Sequence, residues 1–383
     1  MKEIALLFLK LGTIAFGGPA AHIGMMEDEV VNKRKWMDRQ HFLDLVGATN
    51  LIPGPNSTEM AIHCGYHRGG LPGLIVAGVS FIFPAMLITT AFAWLYVSYG
   101  SLPAIEPFFY GIKPAVLAVI LSAIYRLGQK ALKGWKTGLI GAGVLIVSFA
   151  GISEVIAILA GGVIGMFWLY FSKQLQSEKI LPAFVPISLA IFPNFKALLI
   201  TAAVAAAGAI TVAQIFWVFL KVGAILFGSG YVLVAYLDAE LVNRLGWLTR
   251  RELLDAIAIG QFTPGPVLSA STFIGYQIHG LSGAVWATAG IFLPSFLFVL
   301  ILNPLVPKLR KSRLTSCFLD AVNIGAVAIM VVVILKMGKD ILLDWRATVI
   351  ALQSLVLVFG FRKIATGWAV VMGAACGYLL NLV

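Results

Sequence analysis

The chain has 383 residues, of which 60% are hydrophobic and 12% charged, and 28 Lys and Arg against 17 Asp and Glu give a formal charge of +11. A soluble domain is nearer half apolar and a quarter charged, so a mean hydropathy of +0.94 excludes a soluble enzyme or binding module and points to an integral membrane protein. The basic excess lies in short connectors between apolar runs, which argues against nucleic acid as a partner. The cysteines (Cys64, Cys317, Cys376) are too scattered for a disulfide framework or a metal site.

The amino-terminal stretch shows no cleavable signal pattern, because its apolar run ends in Gly-Gly-Pro and continues into a longer element. The hydropathy pattern predicts a helix over 4–23, a broken element over 41–67, and helices over 71–98, 103–128, 137–151 and 154–171. After a linker over 176–213, of which 196–211 is long enough for one further span, the series returns at 214–234, 252–278, 281–303, 315–338, 345–360 and 364–382. The expected fold is an all-α polytopic membrane protein of about 10–13 spans. Its domains are a first transmembrane repeat over 1–175 and a second over 214–383. Gly161-x-x-x-Gly165 and Gly373-x-x-x-Gly377 read as close helix packing, and Pro84 and Pro294 as matched kinks.

The repeat is visible residue by residue. Phe8–Pro55 aligns without a gap to Phe219–Pro266, with 17 of 48 pairs identical. After a one-residue deletion, Gly70, Gly73 and Pro84 meet Gly280, Gly283 and Pro294. The connectors invert in charge. Ser98–Pro103 has no Lys or Arg, whereas 303–313 has Lys308, Arg310, Lys311 and Arg313. Arg126–Lys136 is basic, whereas Lys336–Arg346 mixes basic residues with Asp340 and Asp344. By the positive-inside bias, the two halves lie in opposite orientation and the carboxyl terminus is outside. If 41–67 and 252–278 re-enter rather than cross, this count requires the linker to cross zero or two times.

Both broken elements turn at Pro-Gly-Pro, in Asn50-Leu51-Ile52-Pro53-Gly54-Pro55 and Gln261-Phe262-Thr263-Pro264-Gly265-Pro266. Proline ends the preceding helix, and irregular backbone at membrane depth is tolerated only where it is buried in protein or lines a cavity. A new half-helix then starts at Asn56-Ser57-Thr58 and again at Val267-Leu268-Ser269, with free N–H groups and its positive dipole end at the gap. Two such ends across a pseudo-two-fold axis form an oxyanion site; the alternative is a simple kink at each proline. Gly17, Gly18, Gly228, Ser229 and Gly230 read either as a second pair of cavity-lining turns or as helix C-caps.

Lys10, Lys113 and Lys221 lie in apolar runs, which makes them candidates for anion contact, with snorkelling as the alternative for Lys10. Glu59 is the acid nearest a Pro-Gly-Pro turn. It reads either as a proton-coupling carboxylate or as the distal member of an Asn56-x-x-Glu59 capping box. His22 and His63 are further coupling candidates, each with simple hydrogen bonding as the alternative. Glu29, Arg39 and Asp44, with Glu240, Arg250 and Asp255, read as ion pairs of the connector. No hydrolase, metalloprotease or nucleotide-binding motif is present, so a multi-pass membrane enzyme is the minor reading, and no cofactor is implied.

The stretches FLKLGTIAFGGP, KRKWMDRQHFLDL, NLIPGPNSTEMAIHCGY and GGLPGLIVAGVSFIFPA resemble the chromate ion transporter family. So do FLKVGAILFGSGYVLVAYL, GWLTRRELLDAIAIGQFTPGPV, STFIGYQIHGLSGA and FLPSF of the second half. The similarity covers both halves and matches the long, fused form; it departs in the linker, 172–213. The resemblance implies a secondary transporter in the bacterial inner membrane that exports chromate and confers resistance. Sulfate, also a tetrahedral dianion, is the alternative substrate. The implied partners are the small oxyanion and the lipid bilayer. The oligomeric state stays open, a homodimer being among the alternatives.

Overall fold

A computed structural model describes residues 1–15, 19–49, 52–100, 106–152, 154–174, 210–227, 232–302, 313–342, 344–360 and 366–381. The described residues form helices and turns, with no strand among them.

Each half opens with two helical hairpins. α1 (Lys2–Ile14) has 13 residues, about 20 Å of helix against a hydrocarbon layer of about 30 Å. It stops at Ala15, whose backbone is extended (φ −78°, ψ 92°). α2 (Pro19–Glu27), continued by a π-helical turn over Asp28–Lys33, runs back beside it. Ion pairs fix the antiparallel return: Lys10 Nζ lies 3.1 Å from Glu29 Oε1, and Arg34 Nε lies 3.7 Å from Glu3. The single helix expected over 4–23 is therefore two arms, one ending at Ala15 and the other starting at Pro19. The sequence hides this because both arms are apolar.

α3 (Arg39–Thr49) enters next, and the first arm (56–68) of α4 (Asn56–Tyr99) returns from the Pro-Gly-Pro turn. At the hairpin's open end His67 Nε2 donates to Trp36 O at 3.1 Å. The ring of His41, at the start of α3, lies tilted 4.8 Å from that of His67. The stretch 41–67 thus enters and leaves on one side. α4 then breaks at Gly69 and Gly70 (φ 61°, ψ −149°). A Cβ on Gly65 would collide with the Gly73 carbonyl, and one on Gly73 with that of Gly65, so only glycine lets the two arms turn so tightly. The long arm (71–99) carries Leu71, Ile75, Val79, Phe83 and Leu87 exposed at four-residue spacing, a lipid-facing stripe.

Three further helices complete the half: α5 (Glu106–Ala131), α6 (Trp135–Phe149) and α7 (Glu154–Gln174). The second half repeats the plan. It comprises α8 (Val212–Ile225), α9 (Leu233–Leu237) with the π-helical turn Asp238–Arg244, and α10 (Arg250–Phe262). The 3₁₀ turn Val267–Ser269 leads into α11 (Ala270–Leu302), and α12 (Arg313–Ile341), α13 (Trp345–Gly360) and α14 (Thr366–Asn381) follow. Lys221 meets Glu240 at 3.0 Å as Lys10 meets Glu29, and Arg250 meets Asp238 at 3.1 Å as Arg39 meets Glu27 at 3.0 Å. Gly280 (φ 60°) breaks α11 as Gly70 breaks α4.

The last helices are exchanged between halves, α7 packing on α12 and α14 on α5. The small-residue motifs make these contacts. A Cβ on Gly111 of α5 would collide with the Gly373 carbonyl and sit 2.7 Å from Gly377 Cα, and one on Gly165 of α7 would sit 2.7 Å from Ala321 Cβ.

Contacts along the long arms give the relative orientation. Gly78, near the start of the α4 long arm, meets Phe296 near the end of α11. Tyr96, near the end of the arm, donates to Asp255 of α10 at 2.9 Å, and its ring lies 5.1 Å from Phe273. The long arms of α4 and α11 are antiparallel, so the hairpins of the two halves open on opposite sides. Among the described residues, four helices are long and apolar enough to cross a membrane, Asn56–Tyr99, Tyr110–Ala131, Val267–Ile301 and Ser316–Lys339, and α6, α7, α8, α13 and α14 contain shorter apolar stretches. Trp168, near the end of α7, stacks on Trp135 at 6.0 Å, whereas Phe216 of α8 meets Trp286 at 5.5 Å near the opposite surface. The end of α7 and the start of α8 therefore lie near opposite surfaces.

Candidate functional site at the meeting of the hairpin tips

The two Pro-Gly-Pro turns meet the ends of α1 and α8 about the pseudo-two-fold axis. Gly54 N–H donates to Leu226 O at 2.7 Å, and its repeat-equivalent Gly265 N–H donates to Ala15 O at 2.9 Å. Leu226 and Ala15 are themselves equivalent, so each Pro-Gly-Pro turn is pinned to the end of the other half's first helix. Both glycines have positive φ (136° and 93°), which explains glycine between the two prolines.

The half-helix starts follow at once. Thr58 N–H and Ser269 N–H close tight turns onto Pro55 O and Pro266 O at 2.8 and 3.0 Å. Ahead of them at the helix starts stand the N–H groups of Ser57 and Leu268. The hydroxyls of Thr58 and Ser269, again repeat-equivalent, are buried and make no hydrogen bond. Gln261 Nε2, one turn before the second tip, is also unmatched. Thr263 Oγ1 donates to Ile259 O at 2.7 Å and receives Thr89 Oγ1 of the other half at 3.4 Å. Pro53, Pro55, Pro264 and Pro266 are buried, and Asn56 is half-buried. Asn50, Gly17, Gly18, Gly228, Ser229 and Gly230 lie outside the described residues.

The two tips differ in one respect. Glu59 is fully buried, and Ser295 of α11 is the polar group that faces its carboxyl. Neither Glu59 oxygen nor Ser295 Oγ completes a hydrogen bond of regular geometry. A Cβ at Gly54 would collide with Glu59 Oε1 and lie 2.7 Å from Ser295 Oγ; at Gly265 the corresponding neighbour is Ala85 Cβ at 3.0 Å. The capping box expected from Asn56-x-x-Glu59 does not form: Pro55 occupies the cap position and no side chain caps the helix. Ser295 escaped the sequence reading. The signal was the Ala85/Ser295 mismatch beside the matched prolines Pro84 and Pro294.

The lysines are placed elsewhere than expected. Lys10 and Lys221 are committed to Glu29 and Glu240 of the returning arms, with Arg34 and Arg244 on the same carboxylates. Lys113 of α5 pairs across the halves with Asp255 at 3.4 Å, beside Tyr96. Asp255 therefore belongs to an inter-half contact rather than to the connector. His22 Nε2 donates to Ala15 O at 3.0 Å, the carbonyl that also receives Gly265 N–H. His63 lines a cavity of about 280 Å³ with His41, Leu45, Tyr66 and His67 at the open end of the second hairpin.

Comparison with known proteins agrees with the two-half plan. A family model described as Chromate transporter matches residues 2–166 and again 213–378. The chain is 30% identical over 385 residues to the chromate transport protein of Cupriavidus metallidurans, covering 98% of this chain and 92% of that one. It is 30% identical over 384 residues to a probable chromate transport protein of Synechococcus elongatus, covering 99% and 95%. An uncharacterized transporter of Bacillus subtilis, YwrB, is 34% identical over 172 residues, 44% of this chain but 85% of its own length, which is the size of one repeat. No solved structure matches the chain. A polytopic helical membrane protein built from two such repeats, the chain belongs to the chromate transporter family, a family of transporters rather than enzymes.

Proposed function

We propose that the protein exports chromate across the bacterial inner membrane, with the dianion held between the two Pro-Gly-Pro turns. The observation that carries this reading is the pair Thr58 and Ser269: equivalent hydroxyls at the two half-helix starts, both buried and both unmatched. An unmatched buried hydroxyl costs about 1–3 kcal/mol. A tetrahedral dianion on the axis would satisfy both at once, together with the Ser57 and Leu268 N–H groups and two positive helix ends. Lys10 and Lys221 serve as hairpin clamps in this reading, and Lys113 neutralises Asp255. The Ala15 and Leu226 carbonyls cover the Gly265 and Gly54 N–H groups, so the tips part to admit the anion. Breaking one of these symmetric contacts at a time would give alternating access.

Sidedness follows from charge. The first half's hairpins open on the side where the chain enters and leaves 126–136, 303–312 and 361–365, connectors rich in Lys and Arg. That side is cytoplasmic and the carboxyl terminus is outside. Export then runs downhill electrically: a dianion leaving an inside-negative cell gains about 4.6 kcal/mol per 100 mV, enough for a gradient of roughly three decades.

Flux through purified protein in liposomes tests this. Chromate movement should scale with an imposed potential and be competed by sulfate, whose geometry suits the same donors. Protein that moves neither anion in any gradient would exclude the proposal.

A further inference from the structure

We propose that the Glu59 carboxyl is a proton-binding site of this transporter, reached from the cytoplasmic opening of its hairpin along the His63–His67 edge of the same helix. Glu59, His63 and His67 stand at i, i+4 and i+8 and share one face of the first arm of α4. Glu59 is 0% exposed, His63 is 1% exposed, and His67 is exposed, so the row runs from the protein centre to its surface. The cavity lined by His41, His63, Tyr66 and His67 flanks the outer part of that row.

The groups that face Glu59 are few. From α11 comes Ser295 Oγ, from the turn the Gly54 backbone, and from its own helix His63 one turn away; farther out, the ring of His41 of α3 lies tilted against that of His67. Among the described residues no Lys or Arg forms an ion pair with Glu59. A charged carboxylate held there without a cation is costly. Carrying a proton removes that cost while the tips are closed, and parting of the tips would rehydrate the group and let the proton go. The step is a simple transfer: an imidazolium N–H bond breaks as the carboxyl O–H bond forms, leaving a neutral His63.

The repeat argues that the row is not needed for folding. The matching stretch of the second half, 267–278, contains no carboxyl and no histidine, and Ala85 stands where the first tip meets Ser295. The same hairpin is thus built twice, and the titratable row is added once. The protein then has one proton site of this kind rather than a symmetric pair.

The link between proton and oxyanion rests on the reading in the previous subsection; the proton site itself does not. Two measurements separate them. In infrared pH titrations of the purified full chain, the wild type should show a protonated-carboxyl band that Glu59→Gln removes. In liposomes carrying an internal pH dye, a chromate gradient should drive proton movement in the wild type. Glu59→Gln should lower that proton signal about tenfold or more, the scale of an ordinary coupling free energy, while chromate–chromate exchange persists. His63→Leu should slow the proton signal with the carboxyl band retained. A wild-type band without any chromate movement would sink the oxyanion reading and leave the proton site standing. Proton movement in Glu59→Gln at the wild-type ratio to chromate, or the absence of any titrating band lost in Glu59→Gln, would overturn the proposal.

Discussion

A Cβ on Gly54 would run into the Glu59 carboxyl, and the backbone there has a φ of 136°, so this position excludes side chains twice over. Gly265 has the same backbone constraint (φ 93°) but more distant neighbours, Ala85 Cβ at 3.0 Å and the Gly12 carbonyl at 3.1 Å, which a Cβ would press without overlapping. Gly54→Ala should therefore stop chromate flux, and Gly265→Ala should impair it less. Gly47→Ala and Gly143→Ala, where a Cβ meets nothing within 4 Å, should leave flux and thermal stability unchanged. Equal loss in all four, measured on protein of equal abundance in the membrane, would deny the turns a special role. At this scale the sequence was informative where a residue type has one use. Gly between two prolines in an apolar run already demanded a turn. It was uninformative where use depends on a distant neighbour: Lys10 and Lys221 read as unpaired cations because their partners Glu29 and Glu240 lie 19 residues on, across a reversal that the pattern does not show.

Each first hairpin is held by a charge cluster between its arms, Lys10 with Glu29 and Lys221 with Glu240. Removing one partner leaves a nearly buried carboxylate with less compensation, whereas removing both leaves apolar packing. Lys221→Met should lower the melting temperature by an amount equivalent to about 1–3 kcal/mol, with Arg244 limiting the loss. Lys221→Met combined with Glu240→Leu should recover most of the stability and also chromate flux. A stable double variant without flux would return Lys221 to the anion site. The helices of the second group were legible from hydropathy alone, because α5–α7 and α12–α14 each carry one long apolar run. The hairpins were not, since an arm such as α1 has the composition of a span and only its 13 residues betray it. Their small-residue contacts were legible in type: Gly373 and Gly377 read as packing, and Gly111 of the other half is what they pack against.

For the whole molecule, two homologous halves exchange their last helices and meet tip to tip, so neither half closes its own core. Cysteine labelling from each side should place the amino terminus and the 126–136 connector inside, and 98–103 and the carboxyl terminus outside. Labelling that puts both termini on one side would contradict the sidedness derived from the connectors. The inversion was legible in the connector charges and is independently required by the antiparallel long arms, in which Gly78 meets Phe296 and Tyr96 meets Asp255. The centre of the molecule is tested most directly by the affinity of the folded, purified protein for chromate, read as anion-dependent thermal stabilisation. Combining Thr58→Ala with Ser269→Ala removes two unmatched hydroxyls, so stability without chromate should hold or rise. Chromate affinity should fall by about tenfold or more for each hydrogen bond lost to the charged ligand. Wild-type chromate affinity in that double variant would place the oxyanion somewhere other than between the two turns.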